Sequence, residues 1–200
     1  MIPALIVSQI LSWLLIAGLG VALLALARQV GVLHVRVAPA GALTSASGPA
    51  VGGPAPVLDL IALSGQRIAV GKPSTSKRLQ LLMFVSPVCP ICKTLIPVAK
   101  SFAKKENLEV VFMGDDPLPD QLRMIADMGI DGMPFVNGSE AGRAFHVDKL
   151  PHAVLIDSQG VIVSKGLVNS REHLESLVVS HEMGVRSVQD YIVNLRPKVA

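Results

Sequence analysis

The sequence predicts an α/β fold: a mixed β-sheet flanked by helices, with an N-terminal β-hairpin, carried behind one transmembrane helix. Three observations lead there. Short apolar runs and helix-periodic segments succeed one another in the order hairpin, β-α-β-α, then β-hairpin-α. The start of the chain is different, because Met1 to Ala27 holds no charged side chain and all 18 basic and 15 acidic residues come after it. The only two cysteines, Cys89 and Cys92, stand in C-x-x-C spacing between an apolar run, Leu79 to Val85, and a helix-like segment, Ile91 to Lys105.

Ile10 to Ala27 is apolar apart from Ser12, and Ile2 to Gln9 extends the run. About 20 residues cross a bilayer core, so it is long enough to span with some tilt. Ala25-Leu26-Ala27 resembles a signal-peptide cleavage site, but no basic residue precedes the run and it exceeds a usual signal core. A retained anchor over residues 1–28, with the lipid bilayer as partner, is the reading. Arg28 and Arg36 come after the run, which by the positive-inside rule alone would leave the next domain in the cytoplasm. Disulfides form and persist on the oxidising side, and on that ground the domain is expected to face the periplasm from the inner membrane. Residues 29–55, rich in Ala, Gly, Pro and Ser, read as a flexible linker.

Residues 56–182 form the expected folded domain. Val57 to Leu63, the turn Ser64-Gly65, and Gln66 to Val70 read as a hairpin. Leu79 to Val85 is continuous enough in its apolar character to be a central strand. Leu95, Val98, Ala99 and Phe102 mark one helical face, with Pro97 expected to kink it. Leu108 to Met113 is a strand, Pro119 to Met128 a helix, Met133 to Val136 a short strand and Ser139 to Phe145 a short helix. Ala153 to Ile156 and Val161 to Lys165 flank the turn Asp157-Ser158-Gln159-Gly160, and Ser170 opens a final amphipathic helix. The first two β-α units should be parallel with right-handed crossovers. This is the element order of a thioredoxin fold with an extra hairpin and an insertion. The tail, 183–200, carries Val188, Ile192 and Leu195 at helical spacing without an assignable role.

The net charge of +3 is small, the basic residues are dispersed and aromatics are few, which argues against nucleic acid as a partner. Two cysteines cannot build a disulfide scaffold, and without a Cys/His cluster they do not make a zinc site, so neither metal nor cofactor is expected. A C-x-x-C pair at a helix start points instead to dithiol chemistry. The first sulfur meets unpaired backbone N–H groups and the helix dipole, which favour its thiolate and lower its pKa below the free value of about 8.5. Cys89 is therefore the expected nucleophile and Cys92 the buried resolving thiol, the two exchanging between dithiol and disulfide. Leu150-Pro151 precedes a strand where thioredoxin folds carry a cis-proline, whose preceding backbone pairs with a substrate strand. Met133-Pro134 is the rival site for that proline.

The chain resembles membrane-anchored, thioredoxin-like proteins related to cytochrome-maturation thiol reductases. The marks are Pro54-Ala55-Pro56-Val57-Leu58-Asp59-Leu60 with Gly65, Cys89-Pro90-Ile91-Cys92, and Val147-Asp148-Lys149-Leu150-Pro151 with Leu155-Ile156-Asp157 and Gly160. More closely it resembles the MauD family. Ala27 to His34 and Val37 to Leu43 match that family's post-membrane stretch; Ser86-Pro87-Val88-Cys89-Pro90-Ile91-Cys92-Lys93 and Leu150-Pro151 match its active site. The resemblance implies a thiol–disulfide oxidoreductase or isomerase that assists maturation of the disulfide-rich small subunit of methylamine dehydrogenase, supplied by a membrane thiol electron donor. Ser86, Pro90, Ile91 and Lys93 then support the motif.

Thioredoxins keep a buried acid six positions before the first cysteine; here that position is Met83. Alternatives are a cytochrome c maturation-type reductase, a non-redox chaperone for the same client, and a peroxiredoxin. The last wants proline and threonine where this chain has Leu82 and Ser86. Asp115 and Asp116 come after a parallel strand and so share a sheet edge with Cys89; they read as a capped loop, with proton transfer or substrate contact as the alternative. The five histidines read as surface or turn residues, and Lys93 as an exposed first-turn residue able to assist the thiolate.

Overall fold

The computed structural model describes residues 2–36 and 48–182. The chain divides into two units, the first ending at Gly41. The first is a single helix, α1 (Ile2–Arg36), of 35 residues, or roughly 52 Å at the usual helical rise. Its stretch Ser8–Leu26 is long and apolar enough to cross a membrane and is entirely unburied by protein. Ser12, the polar interruption in that run, donates from Oγ to the Ser8 carbonyl at 2.9 Å. Its hydroxyl is thereby satisfied within the helix, as an apolar solvent requires. Of the residues read as linker, 29–36 lie in α1 and 37–47 fall outside the described residues. The tail 183–200 also falls outside them. From Gly52 onward the chain is already tied to the domain, with the Gly52 amide donating to the Ile162 carbonyl at 2.7 Å.

In the second unit a hairpin, β1 (Leu58–Ile61) and β2 (Arg67–Val70), precedes a five-stranded sheet. The remaining order is β3 (Gln80–Phe84), α2 (Pro90–Lys105), β4 (Glu109–Gly114), α3 (Leu118–Met128), β5 (Phe135–Asn137), α4 (Ser139–Ala144), β6 (His152–Ile156), β7 (Ile162–Leu167) and α5 (Arg171–Glu182). Across the sheet the strands run β5-β4-β3-β6-β7, with β3, β4 and β5 parallel and β6 and β7 antiparallel to their neighbours. Two parallel steps in the same direction put α2 and α3 on one face, as right-handed crossovers demand.

Successive side chains on a strand point to opposite faces, and β3 packs against both. Leu81 and Met83 pack with Leu95 and Phe102 of α2, Met124 of α3 and Leu174 of α5. Leu82 and Phe84 pack on the other face with Leu60, Ile68 and Val70 of the hairpin and Phe145 after α4. The continuous apolar run of this strand is thus a consequence of burial on both faces. β5 starts at Phe135, after Pro134, whose carbonyl accepts from the Phe112 amide at 2.9 Å but whose nitrogen has no proton to give a ladder. α2 runs unbroken through Pro97, which is exposed. Lys100 on α2 donates from Nζ to the Gly129 carbonyl at 2.5 Å, a cation at the C-terminus of α3 where the dipole favours it.

The hairpin is held by a close backbone approach. Gly160, at φ 78°, lies so near the Gly71 carbonyl that a Cβ would overlap it, and the Ala55 amide donates to the Gly160 carbonyl at 2.8 Å. Gly160→Ala should therefore cost about 2 kcal/mol or more through both the left-handed backbone and the collision. Urea unfolding of the full chain measures it.

Candidate functional site

The apolar strand β3 ends at Phe84, and Val85 and Ser86 remain buried as the chain turns. The Cys89 amide donates to the Ser86 carbonyl at 3.2 Å and the Val88 amide to the Ser86 hydroxyl oxygen at 3.3 Å. These bonds form a tight turn that sets Cys89, in extended conformation, at the N-cap of α2 with Pro90 as the first helical residue. Proline is suited to that place because its missing N–H has no helical partner there anyway. Cys89 caps with its sulfur: the Cys92 amide donates to Cys89 Sγ at 3.2 Å.

The two cysteines form a disulfide, with Cα atoms 5.3 Å apart. Cys92 is fully buried among Met83, Val85, Leu95 and Ala153, whereas Cys89 is half-buried and Pro90 and Ile91 are exposed. A helix start with an N–H aimed at Cys89 Sγ stabilises negative charge on that sulfur. Lys93 is exposed in the same first turn. Met83 is fully buried and supplies no proton acceptor beneath the pair.

The Leu150–Pro151 peptide is cis, while Met133–Pro134 is not. β6 begins at His152, paired with Phe84, so the antiparallel register brings Leu150 and Pro151 alongside the turn that carries Cys89. Pro151 is buried and Leu150 exposed. Tertiary structure therefore gathers Ser86, Cys89, Pro90, Ile91, Cys92, Lys93, Leu150 and Pro151 at one end of the sheet. A cavity of about 380 Å³, lined by Arg67, Lys72, Arg78, Glu109 and Asp157 among others, lies at the opposite end of β3, around Gln80.

One histidine corrects the expectation that all five sit on surface or turns. His152 is 2% exposed, on a central strand directly after the cis-proline. It belongs to the β6 face opposite α2, edge-on to Phe84 with ring centroids 6.3 Å apart. Its Nδ1 has no hydrogen-bond partner. Burial lowers its pKa from 6.5 to about 4, reinforced by the Lys165 cation and opposed by Asp148. Only its position after Pro151, at the start of an apolar strand, could have signalled this in the sequence.

Because the folded pKa is depressed, His152 is neutral in the fold, while the unfolded chain takes up a proton near 6.5. Its contribution is fully present above about pH 6.5 and is lost as pH falls toward 4. A shift of this size corresponds to at most about 3 kcal/mol. Urea midpoints at pH 7 and pH 4.5 should show that loss, and His152→Leu should remove most of the His-dependent part.

Residues 73–178 match the family model described as TraF, F plasmid transfer operon protein. The chain is 43% identical over 190 residues to the methylamine utilization protein MauD of Methylorubrum extorquens, covering 95% of this chain and 93% of that protein. It is 40% identical to MauD of Paracoccus denitrificans, covering 98% of each. Among solved structures, a thiol:disulfide interchange protein DsbE from Chlorobium tepidum superposes with a TM-score of 0.59 at 19% identity, covering 68% of this chain and 99% of that one. That likeness shows a thioredoxin-like fold. Identity at this level over nearly the full length, on a thioredoxin-like domain behind an apolar N-terminal helix, shows that the chain belongs to the MauD family of methylamine utilization proteins.

Proposed function

We propose that the protein is a membrane-tethered thiol–disulfide oxidoreductase or isomerase that handles the disulfides of the methylamine dehydrogenase small subunit during its maturation. The observation that carries this reading is the asymmetry of the pair. Cys89 is half-buried and caps a helix with its sulfur, while Cys92 is wholly buried behind it. Membership of the MauD family supports the link to methylamine utilization.

In the reducing direction the Cys89 thiolate attacks a client disulfide. A Cys89–client S–S bond forms and the client's other sulfur leaves as a thiolate. The Cys92 thiolate then attacks Cys89 Sγ, the Cys89–Cys92 disulfide closes, and the second client sulfur leaves. Two electrons have passed from the dithiol to the client. Run backwards, the same steps oxidise the client; if a client thiol resolves the mixed disulfide instead, the result is isomerisation. The cis Leu150–Pro151 segment beside Cys89 offers its backbone to an extended client strand. A membrane thiol donor would return the pair to the dithiol. The domain faces the periplasm in this reading, where a cysteine-rich client meets an oxidising environment.

Cys92→Ser should trap a covalent adduct with the small subunit, visible on a non-reducing gel, and Cys89→Ser should trap none while abolishing maturation. Normal maturation in Cys89→Ser sinks the redox reading. The potential of the pair sets the direction: a value near about −270 mV supports a reductant, and one near about −120 mV an oxidant. Alkaline phosphatase fused after Leu43 should be active, and an inactive fusion contradicts the periplasmic orientation.

A further inference from the structure

The dithiol cycle requires a proton to leave Cys92 before its sulfur can attack, and to return when the cycle runs backwards. Cys92 is fully buried, and Met83 beneath it cannot take a proton. Among the described residues five buried side chains are polar: Ser86, Gln121, His152, Ser164 and Lys165. The last three lie away from the pair. His152 belongs to the opposite face, as does Lys165 opposite Val154, and Ser164 on β7 donates its hydroxyl to the Leu177 carbonyl at 2.9 Å. Ser86 is committed to the turn, where its hydroxyl oxygen accepts from Val88. Gln121 is left.

Gln121 sits in the first turn of α3, and α3 starts at the same end of the sheet as α2, on the same face. It is 0% exposed, and its Oε1 accepts no hydrogen bond. A buried amide oxygen without a donor is costly. The amide lies directly over Gly114, the last residue of β4, in space that any Cβ there would fill; the Val85 carbonyl borders the same space. The group is therefore wedged between the ends of β3 and β4, beside the chain that turns toward Cys89. Gln121 Nε2 lies 3.5 Å from Asp116 Oδ2, a long hydrogen bond that draws this carboxylate inward. Asp116 is half-buried, whereas its neighbour Asp115 is exposed. The Asn137 amide nitrogen, oriented as its neighbours require, donates to the Gly114 carbonyl at 3.1 Å and to the Asp116 carbonyl at 3.3 Å. Asp116 is thus held by its backbone from β5 and by its side chain from α3. Other charged groups of this edge include Lys93, Asp115, Asp120, Arg123, Asp148 and Lys149, the last two exposed. Lys93 and Asp115 are exposed, and Asp120 and Arg123 are paired at 3.5 Å.

We propose that Asp116 is the proton acceptor for the resolving thiol, and that Gln121 is the positioning residue that holds its carboxylate at the sheet edge shared with the cysteine turn. The inference rests on the dithiol reading and deepens it. In the step, the Cys92 S–H bond breaks and its electron pair attacks Cys89 Sγ. The proton passes to an Asp116 carboxylate oxygen and then to solvent, and the client sulfur departs from Cys89 as a thiolate. In the reverse direction Asp116 returns the proton to the Cys92 thiolate as the disulfide opens. A carboxylate on the loop after β4 thereby does the work of the acid that position 83 lacks.

The test separates the two steps. The reduced full-length chain in detergent is mixed with glutathione disulfide, and acid-quenched samples are weighed by mass spectrometry. The first step, formation of the Cys89–glutathione adduct, needs no proton from Cys92; the second, decay of that adduct to the internal disulfide, does. Asp116→Asn should leave the first rate unchanged and slow the second roughly 100-fold, the usual size of a positioned proton acceptor's effect. Gln121→Leu should slow the second roughly tenfold with the first unchanged, through misplacement of the carboxylate. Asp116→Glu should recover most of the Asp116→Asn loss. A second step equally fast in Asp116→Asn and the unmodified chain overturns the proposal, as does a matching loss in both steps, which would mark a structural effect. If the unmodified chain forms neither a glutathione adduct nor the internal disulfide, the dithiol reading falls and this one with it.

Discussion

One hydrogen bond organises the active end of the molecule: the Cys92 amide donating to the sulfur of Cys89. It makes a thiol perform the task that a serine or aspartate performs at most helix starts, satisfying an otherwise orphaned N–H. The same geometry sets the two sulfurs within bonding reach and leaves them unequal in exposure. Everything upstream serves to hold that turn. β3 is clamped between β4 and β6 and buried on both faces, so its end is fixed, and the chain reverses through Ser86 directly into α2. A looser strand would leave the cap, and with it the asymmetry of the pair, undefined.

Polar groups buried near such a site are costly unless partnered, and the protein distributes them unevenly. The face under α2 is apolar at Met83, which packs in the same cluster as Cys92. Polarity is moved instead to the rim, where Gln121, Asp116 and Asn137 interlock around Gly114. On the far face His152 and Lys165 are both buried, and burial lowers the pKa of each. One end of β6 thus begins with a cis-proline beside the cysteine turn and continues into a histidine whose pKa burial lowers to about 4.

The apolar helix and the domain use their apolar side chains differently. In α1 the apolar side chains of residues 8–26 are unburied, as suits a stretch long and apolar enough to cross a membrane. In the domain the same residue types converge on two cores either side of one sheet.

Periodicity and punctuation make most elements legible in the sequence. Leu95, Val98, Ala99 and Phe102 mark the buried stripe of α2, and Ser64-Gly65 the hairpin turn. The cysteine pair and Pro151 are likewise readable, since spacing and local order carry that information. Register and depth are not. Whether Asp116 rather than Asp115 turns inward depends on Asn137 and Gln121, residues 21 and 5 positions away, and on a glycine that leaves room for an amide. That His152 is buried depends on its pairing with Phe84 and Leu167, which no local pattern encodes. The order of elements, the apolar N-terminal helix and the cysteine pair are local properties, set by composition and spacing over a few turns of chain. The polar groups that surround the pair are set by long-range packing, because burial is a property of what distant segments bring alongside.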